Sequence, residues 1–440
     1  MSVQPSVTVV GGGLAGCEAA LQLARRGIPV RLMEMRPTAS TAAHRTEGLA
    51  EIVCSNSLKS ILTTTGSGLL KAEMDLLGSR MLDLAREVAV PAGAALAVDR
   101  DAFSAVVEAR LQADPLVDLV REPVTALPEL AGHAWLVATG PLTSDALVEE
   151  LGRFTGQPAL HFYDAIAPTV TLDSLDLDIL FRAARYDKGE ADYLNAPLDQ
   201  TEYEAFFAAL VAAEVAQVKS FDQAHLFDGC QPIEVIAASG PQSMAFGPLR
   251  PVGLQDPRTG RRPHAVVQLR QENQAGTLYG LVGFQTQLKQ GGQRDVFRMI
   301  PGLANAEFVR YGQLHRNFYL DSPRCLAADF SLHERPDVFV AGQITGVEGY
   351  VESMASGLVT AWHLAHRLGK APALTLPPET ILGGLFRGFL FDTTSARFSP
   401  MNANFGLLPD LTHKVRGKRE RKAAKAERAL QALQDVLPPA

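Results

Sequence analysis

Residues 7–34, VTVVGGGLAGCEAALQLARRGIPVRLME, constrain the fold more tightly than any other stretch of the 440-residue chain. The short run at 7–10 reads as a buried parallel strand. Gly11, Gly13 and Gly16 follow at once in the spacing G-x-G-x-x-G. A helix with apolar positions at Ala20, Leu21 and Leu23 comes next, and Gly27 ends it. A second strand occupies 30–32, and Glu34 closes the unit 23 residues after Gly11. Gly11 allows the tight turn, Gly13 lets backbone approach a pyrophosphate, and Gly16 lets helix pack on strand. The helix N-terminus adds unpaired N–H groups and a partial positive charge for the phosphates. Glu34 is placed to accept both ribose hydroxyls. A lone G-x-G-x-x-G is a weak signal, but the whole strand–turn–helix–strand frame ending on an acid is specific.

Two later segments are companions of this unit. Residues 135–140, WLVATG, read as a strand ending in a small-residue turn. Residues 338–361, VFVAGQITGVEGYVESMASGLVTA, read as strand, glycine-rich turn and helix. Together the three resemble the FAD domain of glutathione-reductase-like flavoproteins, in which the last segment runs beside the flavin and the pyrophosphate. The resemblance implies an α/β, Rossmann-type FAD-binding domain. Its cofactor contacts would come from Gly11, Gly12, Gly13, Leu14, Ala15, Gly16, Glu34 and Arg36, from Gly140, and from Gly342, Gln343 and Gly346. Gln343 stands where those flavoproteins usually carry an acid, with Glu348 and Glu352 nearby as substitutes for the ribityl contact.

A chain of this length exceeds one small core, so two domains are expected. The pattern changes between about 152 and 335. Strand-like runs at 169–172, 265–269 and 278–284 accompany a long amphipathic helix at 201–218. The expected organisation is a FAD-binding domain in two pieces, 1–151 and 336–440, around an inserted α+β domain, 152–335, that carries the substrate. Within the first piece, 68–84 is helical by period and Asp99 is a helix cap. The second piece holds a Pro-rich connector at 371–378 and ends in a basic helix at 414–437.

With 47% hydrophobic and 20% charged residues the chain belongs to the globular class. No apolar run approaches the roughly 20 residues of a transmembrane span, and residues 1–5 leave no room for a signal peptide. Four cysteines, Cys17, Cys54, Cys230 and Cys325, contain no C-x-x-C pair. That spacing disfavours a zinc site and fits a reducing cytoplasm. The net charge of −7 is uneven: residues 414–428 carry eight Lys/Arg against two Glu, leaving −13 for the rest. Cations this dense on an acidic chain point to a polyanion, with Lys414, Arg416, Lys418 and Arg419 as candidate phosphate contacts. A plain solvated helix is the alternative, and a membrane surface is disfavoured because few large apolar residues share the segment.

Three places are candidates for chemistry. Cys54 sits in EIVCSNSL at 51–58, among small polar residues in the first loop region after the dinucleotide unit. Disulfide reductases place two cysteines four apart in such a loop; Cys54 has no such partner. A lone cysteine is most often a small buried hydrophobe, and the polar neighbours favour a reactive thiol equally. Cys230, in LFDGCQPIE, lies in a Gly/Pro turn where exposure favours reactivity. Cys17 reads as a packing residue of the first helix, and Cys325 has no distinguishing context. The run YGQLHRNFY at 311–319 is either a core strand with a buried histidine or a platform on which a flat heterocycle stacks on His315. The basic turn DPRTGRR at 256–262 reads as solvated.

Nearly the whole chain resembles the folate- and FAD-dependent tRNA (uracil-5-)-methyltransferases. The resemblance rests on GGGLAG at 11–16, EMRP at 34–37, EIVCSNSL at 51–58, PAGAALAVDR at 91–100, ATGPLTS at 138–144, FGPLRPVGL at 246–254, VVQLRQE at 266–272, GFQT at 283–286, MIPGL at 299–303 and GVEGYVES at 346–353. It implies a flavoprotein that makes ribothymidine in the tRNA T loop. The one-carbon unit would come from 5,10-methylenetetrahydrofolate and the electrons from NADH or NADPH. By match to the family Cys230 would be the nucleophile and Cys54 would lie by the flavin, and the two roles are exchangeable on sequence alone. His315 would stack on the folate pterin. Three alternatives stand beside this reading: the larger folate/FAD protein of the tRNA wobble uridine, a small-molecule flavin oxidoreductase, and an RNA-binding flavoprotein without turnover.

Overall fold

The structure, a computed structural model, describes residues 6–41, 43–157, 160–187, 190–216, 231–394 and 398–437. Its organising element is a five-stranded parallel sheet in the order Val338–Val340, Ala134–Val137, Val7–Val10, Val30–Met33, Val117–Val120. Every residue of Val7–Val10 and of Ala134–Val137 is buried, as expected of parallel strands covered on both faces. The helices Leu14–Ala24 and Tyr350–Arg367 pack along each other beside the sheet. Gly357 permits this, because a Cβ there would lie 2.2 Å from the Ala15 carbonyl oxygen. Val7–Val10 pairs with Val30–Met33 on one side and Ala134–Val137 on the other. The strand order reverses across it, and a crevice opens at the strand ends beside Gly11.

The intervening chain forms a six-stranded antiparallel sheet in the order Phe181–Arg182, Leu194–Leu198, Ala265–Gln271, Leu278–Leu281, Thr169–Thr171, Phe308–Arg310. Tyr203, Phe206, Phe284 and Phe297 fill its own apolar core. A two-stranded ribbon, Leu160–Ala165 with Leu314–Tyr319, leads into and out of this unit. Phe162 and Tyr319 of the ribbon pack into the core of the parallel sheet. The ribbon therefore holds His315 between the two sheets.

Several local expectations change. The helix expected over 68–84 is two helices, Gly66–Leu76 and Arg80–Glu87. Gly78 takes a left-handed φ of +74° and the Ser79 side chain accepts from Leu82 N, which ends one helix and caps the next. The buried Glu18 carboxylate locks this break by accepting from Ser79 Oγ, Arg80 N and Met81 N at 2.8, 3.1 and 2.9 Å. The helix expected over 201–218 is Gln200–Ala212; Ala213 is extended, and Ala216 N donates to Gln287 O. The basic helix is Lys418–Val436, so Lys414 and Arg416 precede it. Asp99 caps Arg100–Gln112 as expected, accepting from Asp101 N and Ala102 N. Among the described residues no helix is long and apolar enough to cross a membrane.

Candidate cofactor and substrate site

The crevice beside the parallel sheet is lined by Gly11, Gly12, Gly13, Glu34, Arg36 and Thr139, with further walls from 122–124 and 142–147. The close packing of the turn explains its glycines. A Cβ on Gly11 would lie 2.6 Å from Ala138 O, and one on Gly16 only 1.9 Å from Gly11 O. Gly13 differs: a Cβ there would meet nothing within 4 Å, and no side chain caps the helix that it starts. Its backbone therefore faces open space with the helix N-terminus behind it. Glu34 is held rigidly. Gly12 N donates to its Oε2 at 2.9 Å, while Arg36 N and Nε donate to Oε1 at 3.0 and 2.9 Å. Burial would raise the Glu34 carboxyl, but the Arg36 hydrogen bonds and charge outweigh it and keep the acid below its ordinary range. Arg36 also pairs with Glu51 at 2.9 Å. Gly342 and Gly346 are packing glycines: Cβ atoms there would strike Ala15 Cβ and the Phe398 ring. Gly140 has a φ of +67° at the end of its strand, with open space beyond it.

Leu142 also lines a second cavity, so the two spaces adjoin. This cavity brings together Cys54, Lys59, His315, Gln343, Glu348 and Tyr350, which span almost three hundred residues of sequence. Gln343 donates to Glu348, so the amide in place of the expected acid is oriented by a neighbouring acid. The helix Tyr350–Arg367 points its N-terminus here without a side-chain cap.

The half-buried Cys54 sits on a loop that is gripped from several sides. Its N–H donates to the Tyr350 hydroxyl at 2.6 Å, and Sγ lies 3.7 Å from Ala165 O. Arg100 donates to Ile52 O at 2.8 Å and Arg310 to Val53 O at 2.7 Å. Arg270 donates to Asn56 Oδ1 at 2.8 Å and Ser55 Oγ at 2.7 Å. Arg270 and Arg310 come from the antiparallel sheet, so that sheet fixes a loop of the parallel-sheet unit. Arg100 and Arg270 both feel the charge of Cys54, so two guanidinium groups lie within electrostatic reach of the thiol. Burial, then the Cys54 charge, pushes the Tyr350 phenol above its ordinary range.

His315 is buried with Nε2 lacking a partner among the described residues. Burial, then the charge of His44, lowers it to about 4, so it is a neutral ring near pH 7. His44 lines the crevice beside the parallel sheet, which ties the two spaces electrostatically.

The comparisons with known proteins fit this layout. Residues 6–372 match the family model described as glucose inhibited division protein A. Methylenetetrahydrofolate–tRNA-(uracil-5-)-methyltransferase TrmFO of Desulfitobacterium hafniense is 54% identical over 98% of both chains. The protein of that name from Listeria innocua is 50% identical over 99% of both. The chain belongs to this methyltransferase family. The fold of GidA from Aquifex aeolicus superposes with a TM-score of 0.69 at 16% identity, over 98% of this chain and 73% of that one.

Cys230 lies outside the described residues. Cys17 is buried and donates to Gly12 O at 3.3 Å; burial, then Glu34, drives its thiol well above the ordinary range. Cys325 is buried too, pushed up to about 12 by burial and Asp321. Lys414, Arg416, Lys418 and Arg419 are exposed. Their helix is anchored further along, where Lys425 is buried and donates to Leu408 O and Asp410 Oδ1, both at 3.1 Å, beside buried Ala426, Ala429 and Leu433. Sequence reasoning missed Lys59, Arg100, Arg270, Arg310 and Tyr350. Arg100, Arg270 and Tyr350 lie within family motifs, but nothing local links them to Cys54.

Proposed function

We propose that the chain methylates C5 of the T-loop uridine of tRNA to give ribothymidine, with 5,10-methylenetetrahydrofolate as one-carbon donor and bound FAD reduced by NADH or NADPH. The observation that carries this reading is the cavity where Cys54, His315 and Gln343 meet next to the dinucleotide crevice. FAD fits these spaces. The open face of Gly13 and an uncapped helix N-terminus suit its pyrophosphate, and the ionised Glu34 keeps acceptor capacity for ribose. Gln343 and the uncapped N-terminus at Tyr350 suit the ribityl and ring end. When bound, the flavin supplies the reducing equivalents that turn a methylene into a methyl group.

The chain's own residues supply the rest. Uracil C5 is a weak nucleophile. Addition of a thiolate to C6 forms an S–C6 bond and an enolate, whose C5 attacks the methylene carbon. Loss of the C5 proton then breaks the bond between the methylene carbon and its donor nitrogen, and reduction of that methylene to methyl expels the thiolate from C6. We assign the addition to Cys230 on its family motif, and the removal of the C5 proton to Cys54, which Arg100 and Arg270 reach electrostatically. The neutral His315 ring stacks on the pterin. The target base leaves its stack to reach the cavity. Residues 152–335 carry the substrate, Lys414, Arg416, Lys418 and Arg419 hold tRNA phosphates, and the cytoplasm is the compartment.

A denaturing gel shift with T-loop RNA carrying 5-fluorouridine tests this. Fluorine at C5 blocks expulsion of the thiolate, so wild type and Cys54→Ala should retain a covalent band that Cys230→Ala loses. Loss in Cys54→Ala alone reverses the assignment. A wild type that binds flavin yet traps no RNA sinks the uracil mechanism.

A further inference from the structure

We propose that an exposed face of the antiparallel-sheet unit, built from Phe246, Tyr186, Arg250, Arg262 and His264, is a stacking platform for an unpaired nucleotide of the tRNA. It rests on the reading of the chain as a tRNA methyltransferase. It is distinct from the basic C-terminal segment and from the cavity holding Cys54.

Phe246 is 81% exposed at the end of the short helix Ser243–Phe246. A ring that large is ordinarily buried or partnered. It lines an open hollow with Arg250, Val252, Arg262 and His264. Tyr186, 56% exposed, stands at the other side of the 250–253 loop. Its backbone is held at a φ of +60°, which a bulky residue adopts at a cost. Tyr186 N donates to Gly253 O at 2.9 Å, and the ring occupies the space over Gly253, where a Cβ would sit 2.9 Å from it. Strain is thus accepted to hold an exposed aromatic ring in place.

The cations of this face divide into two kinds. Arg185 is committed inward, with Nη1 donating to Arg250 O and Val252 O and Nε to Gln268 Oε1. Arg258 is committed to Asp256. Arg250 and Arg262 form no ion pair among the described residues and line the hollow. His264 packs at a tilt of 51° against Tyr203 with ring centroids 4.9 Å apart, and its buried Nε2 has no partner among the described residues. Exposed rings and unpaired guanidinium groups suit a nucleobase with its phosphates. An apolar protein surface would instead have to desolvate both arginines.

The platform is also tied to the reaction site. The helix Ile233–Ala238 starts three residues after Cys230, and the next helix ends on Phe246. Pro248 packs on Gly283, where a Cβ would lie 2.9 Å from it, and Gln285 two residues on lines the Cys54 cavity. A nucleotide stacked on Phe246 is therefore registered against the base delivered to that cavity.

The experiment measures tRNA affinity by gel shift at two salt concentrations, on the flavin-loaded full chain. Visible absorbance and melting temperature serve as fold controls, and sedimentation reports self-association. Phe246→Ala should weaken binding about 5- to 150-fold, the range for one stacked base, and Phe246→Trp should restore it. Arg250→Ala with Arg262→Ala should weaken binding and flatten the salt dependence by about 0.7–0.9 per lost phosphate contact. This pair keeps the test decisive if Phe246→Ala fails to fold. Wild-type affinity in Phe246→Ala, or a change only in self-association, overturns the platform while leaving the methyltransferase reading intact. A wild type that binds no tRNA removes both.

Discussion

Gly13→Ala and Gly16→Ala separate cofactor binding from folding, because the two glycines face opposite ways. At Gly16 a Cβ would lie 1.9 Å from Gly11 O, and a backbone carbonyl in a tight turn cannot swing aside. Relief needs a shift of at least about 1 Å between helix and turn, which at overpacked sites costs about 3 kcal/mol. Unfolding entropy of about 2.1 cal/mol/K per residue over 440 residues converts each kcal/mol into about 1 °C. Gly16→Ala should therefore melt about 3 °C lower and lose flavin together with the shape of the turn. At Gly13 a Cβ meets no protein atom within 4 Å, so the fold should melt within about 1 °C of wild type. The methyl group would occupy the space assigned to the pyrophosphate. Losing two charge-assisted N–H bonds there, at a discounted total of about 3 kcal/mol, weakens flavin binding roughly 100-fold. The assay is flavin released on dilution, followed by visible absorbance, beside thermal melts of flavin-free protein. Full flavin affinity in a normally folded Gly13→Ala would refute the placement of the pyrophosphate at this turn.

The remaining predictions concern charge. His315 has a folded value near 4 against an ordinary 6.5, so the unfolded chain binds more protons between those values and stability falls on acidification. Lowering pH from 7 to 5 should cost about 2 kcal/mol through this group, and His315→Gln should lack that increment in urea titrations at the two pH values. Glu73 acts in the opposite sense. Burial raises it to about 8 although Ile381 N and Leu382 N donate to it. Its contribution is complete below the ordinary carboxylate range and is lost as pH rises to 8, so Glu73→Gln should flatten a loss of about 3–4 kcal/mol between pH 5 and 8. An unchanged pH slope in either variant sinks the corresponding argument. Arg270→Met removes a cation and two hydrogen bonds from the Cys54 loop. In a Cys230→Ala background, alkylation of Cys54 at pH 7, read by mass spectrometry, should slow by about tenfold; an unaltered rate means the arginines do not tune the thiol.

The sequence alone determined the dinucleotide half of the molecule. Strand, glycine turn, helix and acid lie within residues 7–34, so every distance that matters is set by local backbone geometry. Gly11, Gly16 and Glu34 could be read from spacing, and Gly78-Ser79 carried a legible helix break inside the expected 68–84 helix. Family motifs, long and in order, supplied the chemistry by resemblance. Tertiary structure alone decided the surroundings of the thiol. Arg100, Arg270, Arg310 and Tyr350 reach residues 52–56 from strands and helices up to about three hundred positions away. No periodicity encodes such a meeting; it arises from packing the antiparallel sheet against a loop of the parallel one. The same holds for Phe246 and Tyr186, whose exposure is a property of the folded surface. Local chemistry is written in spacing, whereas burial, charge environment and exposure exist only once distant segments share a surface.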